Sequence, residues 1–415
     1  MKAVALALAF GASASALIAP RPPKVASALS AAAKVPGANQ RVKDTYDLKT
    51  IERTLATERD ACGVGFVAES AAGPSRRVII AATAACDANE HRGGCSSDCV
   101  SGDGAGIMTQ IPWAVYENDT PALKKRREEN PDEKLGVATL FVPRDPEAAA
   151  RASELAYEAA SLTGFEVVAW RDLPIDPSIC GEAAAAGRPD FAHVILATAA
   201  DVPERDPRSL ERALYLYRRT LSGLWDRDEE FYIASCSHKT VVYKGMVQSS
   251  ALKKFYLDLA NELYVSQFAI YHRRFSTNTM PRWSLAQPFR QIAHNGEINT
   301  IRGNVNWMVS RALAAGADMG AVAAGCSSDD PDRSCEFVDP DQLGPVVDAS
   351  KSDSANLDAS LELYTRAGRT VDESLLLMMP PAIPKPEEKL FFDLHAPLQE
   401  AWDGPAAVCY SDGDV

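Results

Sequence analysis

The chain of 415 residues contains no Cys-x-x-Cys pair, no Walker-type phosphate loop, no strand followed by Gly-x-Gly-x-x-Gly and no repeat period. The first absence, with an odd total of nine cysteines, argues against a disulfide-stapled secreted fold or a zinc ribbon, so most thiols are expected to be reduced. The next two remove the common signatures of nucleotide phosphate binding. After the first twenty residues no apolar run is long enough to span a bilayer.

Acid is missing from the first 43 residues, which hold six Lys or Arg, so the remainder carries −19 in a chain whose total is −13. A surface of that sign repels phosphate backbones and anionic lipid, and neither nucleic acid nor a membrane is expected as a partner. Cys86, Cys95 and Cys99 lie close together without a further His or Cys at ligand spacing. They are expected to be small buried side chains, and no metal site is expected.

What is present suffices for a globular protein, since 46% of residues are hydrophobic and 24% charged. Residues 3–19 are uncharged and Ala-rich, follow Lys2 and end among small side chains, which is the layout of a signal peptide; 21–43 are Ala-, Ser- and base-rich, as in a transit peptide. The stacked pair resembles the bipartite presequence of plastids acquired by secondary endosymbiosis, with mitochondrial import or secretion as the alternatives. Residues 1–61 are therefore expected to be a cleaved presequence and propeptide, and 62–415 a domain.

In that domain short β-rich runs at 63–68, 135–142, 166–170, 192–197, 231–235 and 240–243 alternate with helical patterns at 147–160 and 207–220. The Ser-Gly-Asp-Gly-Ala-Gly run at 101–106 lacks a Lys and a following helix start, and reads as a tight loop. The small, polar, acidic stretch 320–341 reads as an exposed insertion.

Two places stand out chemically. Cys62, in Ala61-Cys62-Gly63-Val64-Gly65-Phe66, follows the presequence. Cleavage before it would leave a thiol and a free α-amine on one residue. The amine titrates at roughly 7.7–8.0, close enough to neutrality to take the thiol proton and later return it. Without that cleavage Cys62 is an ordinary buried cysteine on a strand.

The second place runs from Tyr271-His272-Arg273-Arg274 to His294-Asn295-Gly296-Glu297. Asn-Gly after an apolar run is first a hairpin turn. The Asn295 side-chain amide and the Gly296 N–H could also donate to the oxyanion of a tetrahedral intermediate. Arg274, in a mostly apolar stretch, suits a carboxylate, and Asp353 would complement it by holding an ammonium, so the pair could grip an α-amino acid.

These motifs resemble those of the class II glutamine amidotransferases, whose glutaminase domains are N-terminal-nucleophile hydrolases, and most closely the glutamate synthases. The resemblance rests on Ala-Cys62-Gly-Val-Gly-Phe, Glu90-His-Arg92-Gly-Gly94, Ser101-Gly-Asp-Gly-Ala-Gly106, Tyr271-His-Arg-Arg-Phe-Ser-Thr-Asn-Thr279, Leu285-Ala-Gln-Pro-Phe289 and His294-Asn-Gly-Glu-Ile-Asn-Thr300. It implies an α+β fold, a four-layer αββα sandwich, that hydrolyses L-glutamine to L-glutamate and ammonia. By the same resemblance Cys62 is the nucleophile, Asn295 and Gly296 form the oxyanion hole, Arg92, Arg274 and Thr277 bind substrate, and Asp353 holds its α-amine.

No cofactor is expected in this segment. The resemblance implies FMN and an iron–sulfur cluster in synthase domains that would follow, with 2-oxoglutarate as ammonia acceptor and ferredoxin or a reduced nicotinamide as donor. The chain is thus expected to be incomplete at its C-terminus. The alternatives are another class II amidotransferase, a papain-like thiol hydrolase pairing Cys62 with His272 or His294, and a non-catalytic fragment.

Overall fold

The computed structural model describes residues 63–70, 73–227, 229–275, 280–314, 345–380, 401–404 and 406–411. The expected leader at 1–61, the insertion at 320–341, Cys62 and Thr277 lie outside the described residues.

Ten strands are described: β1 (Val64–Ala68), β2 (Ala105–Gln110), β3 (Gly136–Val142), β4 (Phe165–Asp172), β5 (Asp190–Thr198), β6 (Tyr232–Ser237), β7 (Thr240–Gly245), β8 (Phe268–His272), β9 (Ile292–Gly296) and β10 (Ala406–Tyr410). They form three sheets, β1-β8-β2-β7, β4-β5-β3-β6 and β10-β9, and the paired neighbours run antiparallel. Five helices set the layering: α1 (Arg76–Ala88), α2 (Pro146–Leu162), α3 (Pro207–Leu224), α4 (Asp353–Arg366) and α5 (Val371–Met378).

Local chemistry explains the start of the two longest helices described. Asp145 caps α2 by accepting from Ala148 N at 2.9 Å, Asp206 caps α3 by accepting from Arg208 N and Ser209 N, and a proline at the first position of each is already set for helix. The stripe Ala152, Leu155, Ala156 and Ala159 of α2, with Leu210, Leu214, Tyr217 and Leu221 of α3, covers Leu140, Val194 and Ile233 of the second sheet. The spacings of three, four and seven residues are those that place side chains on one helix face.

The two-residue alternation of the first sheet sends its strands' side chains to opposite sides. Ile107, Tyr243, Ala269 and Tyr271 join Val78, Ile79, Ala82 and Cys86 of α1. Met108, Val242, Phe268 and Ile270 instead join Ala293 of β9, with Val64 and Cys409 packed alongside. The far side of the β9–β10 pair, through Ile292 and Val408, meets Leu357 and Leu361 of α4 and Leu375 and Met378 of α5. The stack therefore reads helix, sheet, sheet, helix.

Two expectations fail. Asn295 and Gly296 do not make a hairpin turn: they end β9, opposite Ala407 and Ala406 of β10, whose partner strand lies more than a hundred residues away. The cysteine trio is not uniformly buried either, because only Cys86 is inside, while Cys95 and Cys99 are exposed on the loop before β2.

Candidate active site

The described neighbours of Cys62 and Thr277 meet at the open end of β8. Val64 lies opposite His272 in the β1–β8 ladder, and Arg273 N donates to Gly63 O at 2.7 Å. The chain just after Cys62 is thereby pinned beside Arg273 and Arg274. Phe275, two residues before Thr277, bridges to Ala286.

Arg273, which sequence reasoning passed over in favour of its neighbour, is 1% exposed and is the largest fully buried side chain among the described residues. Its Nη1 donates to Asp103 Oδ1 at 2.7 Å and to Gly104 O at 3.0 Å, and its Nη2 donates to Glu90 Oε1. Glu90 also accepts from Ser249 N and Oγ. Burial would raise the Glu90 carboxyl, but the bonds from Arg273 and Ser249 hold it below its ordinary value. Gly93 is required by close approach, because a Cβ there would sit 2.1 Å from the guanidinium carbon. The signal was legible as two acids and bare glycine backbone, Glu90, Asp103 and Gly93-Gly94, more polar equipment than one exposed arginine needs.

Arg274 is half-exposed and its Nε faces Asp103 Oδ2 at 3.5 Å, so one carboxylate serves both arginines. Arg92 ends the single 3₁₀ turn Glu90–Arg92, exposed, one residue before the glycine that lies on Arg273. Of the tight loop expected at 101–106 only 101–104 is loop, folded by Ser96 N to Ser101 O, Asp103 N to Gly94 O and the Asp98 carboxylate accepting from Val100 N and Ser101 N, while Ala105 and Gly106 already open β2.

The second cluster surrounds the end of β9. Asn295 and Gly296 are partly exposed, and Gly296 has φ +136°, a conformation that favours glycine and turns the backbone out of the ladder. Gln287, 2% exposed, fixes the preceding residue: its Nε2 donates to His294 O and its Oε1 accepts from His294 N, both at 2.8 Å. Asp353, the first residue of α4 and 4% exposed, accepts from Ile298 N at 2.9 Å and Ser354 N at 2.7 Å. It thus anchors the segment just after Gly296 to the α4 N-terminus, where a carboxylate is favoured.

The two clusters meet through two buried histidines. Burial, opposed in part by the Arg274 backbone, lowers His272 to about 3; burial, opposed by Asp353, lowers His294 to about 4. His294 Nδ1 lies 2.6 Å from Ser354 Oγ, and Arg274 N donates to His272 Nδ1 at 3.0 Å. Both imidazoles are neutral at pH 7 and resist becoming imidazolium, which is the wrong property for the base of a papain-like pair.

The structure therefore brings Asn295, Gly296 and Asp353 together, links Arg274 to Arg273 through Asp103, and places Arg92 at the end of the turn whose Glu90 accepts from Arg273. Among the described residues no three His, Cys, Asp or Glu converge as metal ligands, and no helix is long and apolar enough to cross a membrane.

Known proteins have similar sequences. The ferredoxin-dependent glutamate synthase 2, chloroplastic, of Arabidopsis thaliana is 41% identical over 372 residues, which cover 86% of this chain and 21% of that protein. The ferredoxin-dependent glutamate synthase 2 of a Synechocystis strain is 40% identical over 369 residues, covering 87% and 22%. The ferredoxin-dependent glutamate synthase of an Antithamnion species is 38% identical over 372 residues, covering 87% and 23%. The chain thus spans about a fifth of the length of these relatives. Residues 62–415, beginning at the cysteine itself, match the class-II glutamine amidotransferases, and the chain belongs to that family.

Proposed function

We infer that this chain is the glutaminase portion of a ferredoxin-dependent glutamate synthase. The observation that carries the reading is the convergence, at one end of β8 and β9, of the strand that follows Cys62, the Asn295-Gly296 pair and Asp353, in a chain whose family match begins at residue 62. In this reading residues 1–61 are removed. The α-amine of Cys62 takes the thiol proton, and the thiolate attacks the side-chain amide carbon of L-glutamine. Asn295 Nδ2 and Gly296 N–H stabilise the oxyanion. The protonated amine hands its proton to the leaving nitrogen, ammonia departs, and water activated by the same amine hydrolyses the thioester to L-glutamate. Arg92, Arg274 and Thr277 hold the substrate α-carboxylate, and Asp353 its α-ammonium.

The resemblance to glutamate synthases supports a destination for the ammonia. It would aminate 2-oxoglutarate in the remainder of such a synthase, with electrons from ferredoxin. The FMN and iron–sulfur cluster implied by the family would belong to that remainder. Import into a plastid by the bipartite leader fits the chloroplastic relatives and the charge reversal after residue 43.

Mass spectrometry of the mature protein, paired with a glutaminase assay, tests the reading. The expected N-terminus is Cys62, and both Cys62→Ala and a blocked leader cleavage should abolish ammonia release. An active enzyme that still begins upstream of Cys62 would overturn the mechanism.

A further inference from the structure

Arg273 has no part in the chemistry above, yet it is more deeply buried than either substrate arginine. A guanidinium taken out of water is costly unless its donors are matched. Here three acceptors take the two terminal nitrogens, while Nε has no hydrogen-bond partner among the described residues, and the acceptors lie on two pieces of chain that flank the pocket, the turn at Glu90 and the loop at Asp103-Gly104. Glu90 opens the 3₁₀ turn that ends at Arg92; Asp103 is shared with Arg274; Gly104 O starts the run into β2. Its own backbone N–H holds Gly63, the residue after the nucleophile. Against burial, Glu90 and Asp103 raise Arg273 above the ordinary arginine value, so it is a permanent cation.

We propose that Arg273 is a positioning residue for glutamine: by bridging Glu90 and Asp103 it sets where Arg92 and Arg274 present their charges relative to Cys62. The inference rests on the glutaminase reading and deepens it. The planar fork matters, because the two nitrogens of one guanidinium reach two carboxylates about a fixed plane, whereas a lysine ammonium offers one point of charge. Asp103 is the relay, since the oxygen not held by Arg273 is the one that faces Arg274.

Two electrophiles separate positioning from stability. A diazoketone analogue of glutamine carries the α-carboxylate and α-ammonium and needs the pocket to reach the thiol, while iodoacetamide has neither group. In the processed full chain, Arg273→Lys and Asp103→Asn are each expected to slow alkylation by the analogue about tenfold or more and to raise KM for glutamine in proportion. Iodoacetamide alkylation of the same thiol, measured below the unfolding transition, should stay near that of the parent, while the unfolding midpoint falls because each variant breaks a buried ion pair. Asp103→Asn keeps the side-chain shape and serves if the lysine variant does not fold. Equal slowing by both reagents, or unchanged reaction with the analogue, would overturn the proposal. Peptide mapping of the parent decides separately whether the alkylated thiol is Cys62; if it is not, the glutaminase reading fails whatever the variants do.

Discussion

Between α2, α3 and the sheet β4-β5-β3-β6 the interior is hydrocarbon, built from Ala152, Leu155, Ala156, Leu214, Leu140 and Val194. Around the ends of β8 and β9 the buried side chains are instead Arg273, His272, Gln287, His294 and Asp353. The first region is held by area removed from water, at roughly 25 cal/mol per Å², and asks of each residue only size and phase. The second asks each group for a specific partner, because an unmatched buried polar group costs about 1–3 kcal/mol. Stability should accordingly be lost from either region, but activity from the second alone, and substitutions can tell the two losses apart.

The largest effect expected is on stability in the apolar region. Leu155 is fully buried against neighbouring alanines that leave little to collapse inward, so Leu155→Ala should lower the unfolding free energy by about 3–5 kcal/mol. Urea titration would read this loss, and kcat and KM for glutamine should stay unchanged below the transition. A large loss of kcat in the still-folded variant would show that the two regions are coupled.

The complementary substitution lies at the end of β9. Asn295 is partly exposed and its ladder partner is Ala407, so Asn295→Ala removes a donor without opening a core cavity. The expected result is a fall in kcat of about a hundredfold, near 2.7 kcal/mol of barrier, with a small change in KM and in the urea midpoint. Steady-state kinetics with a pre-steady-state burst would locate the loss in thioester formation. A fall in KM affinity with kcat preserved would move Asn295 from the oxyanion to substrate binding.

The same contrast accounts for what the sequence made legible. The helices expected at 147–160 and 207–220 are found at Pro146–Leu162 and Pro207–Leu224, because periodicity and an Asp-Pro start are local signals. Each expected strand appears with its ends shifted by a residue or two. Asn295-Gly296 also fits a hairpin turn, which the structure does not show, because its partner, β10, comes more than a hundred residues later and no local pattern carries that pairing. Arg273 was missed for a related reason. Its burial is decided by Asp103 and Glu90, 170 and 183 residues upstream, and nothing local to Arg273 carries that pairing.

The smallest expected effect sharpens the comparison by pH. His272 and His294 are held at about 3 and about 4, against about 6.5 in an unfolded chain. Between those values the unfolded state binds protons that the folded state refuses, so unfolding free energy falls as pH is lowered from about 6.5 towards 4, by about 1.4 kcal/mol per pH unit for each histidine, and the contribution is fully present above that window. His193 on β5 behaves likewise, lowered by burial and by Arg171, so the pH slope alone does not distinguish the regions. Substitution does. His294→Gln and His193→Gln should each flatten the dependence of the urea midpoint between pH 5 and 6.5 by one proton's worth. Only His294→Gln, whose backbone Gln287 holds beside Asn295, should also lower kcat at pH 7.5. Equal kinetic losses in both variants would mean that the buried polar groups act as one network across the fold, and the division between a packed half and a working half would have to be abandoned.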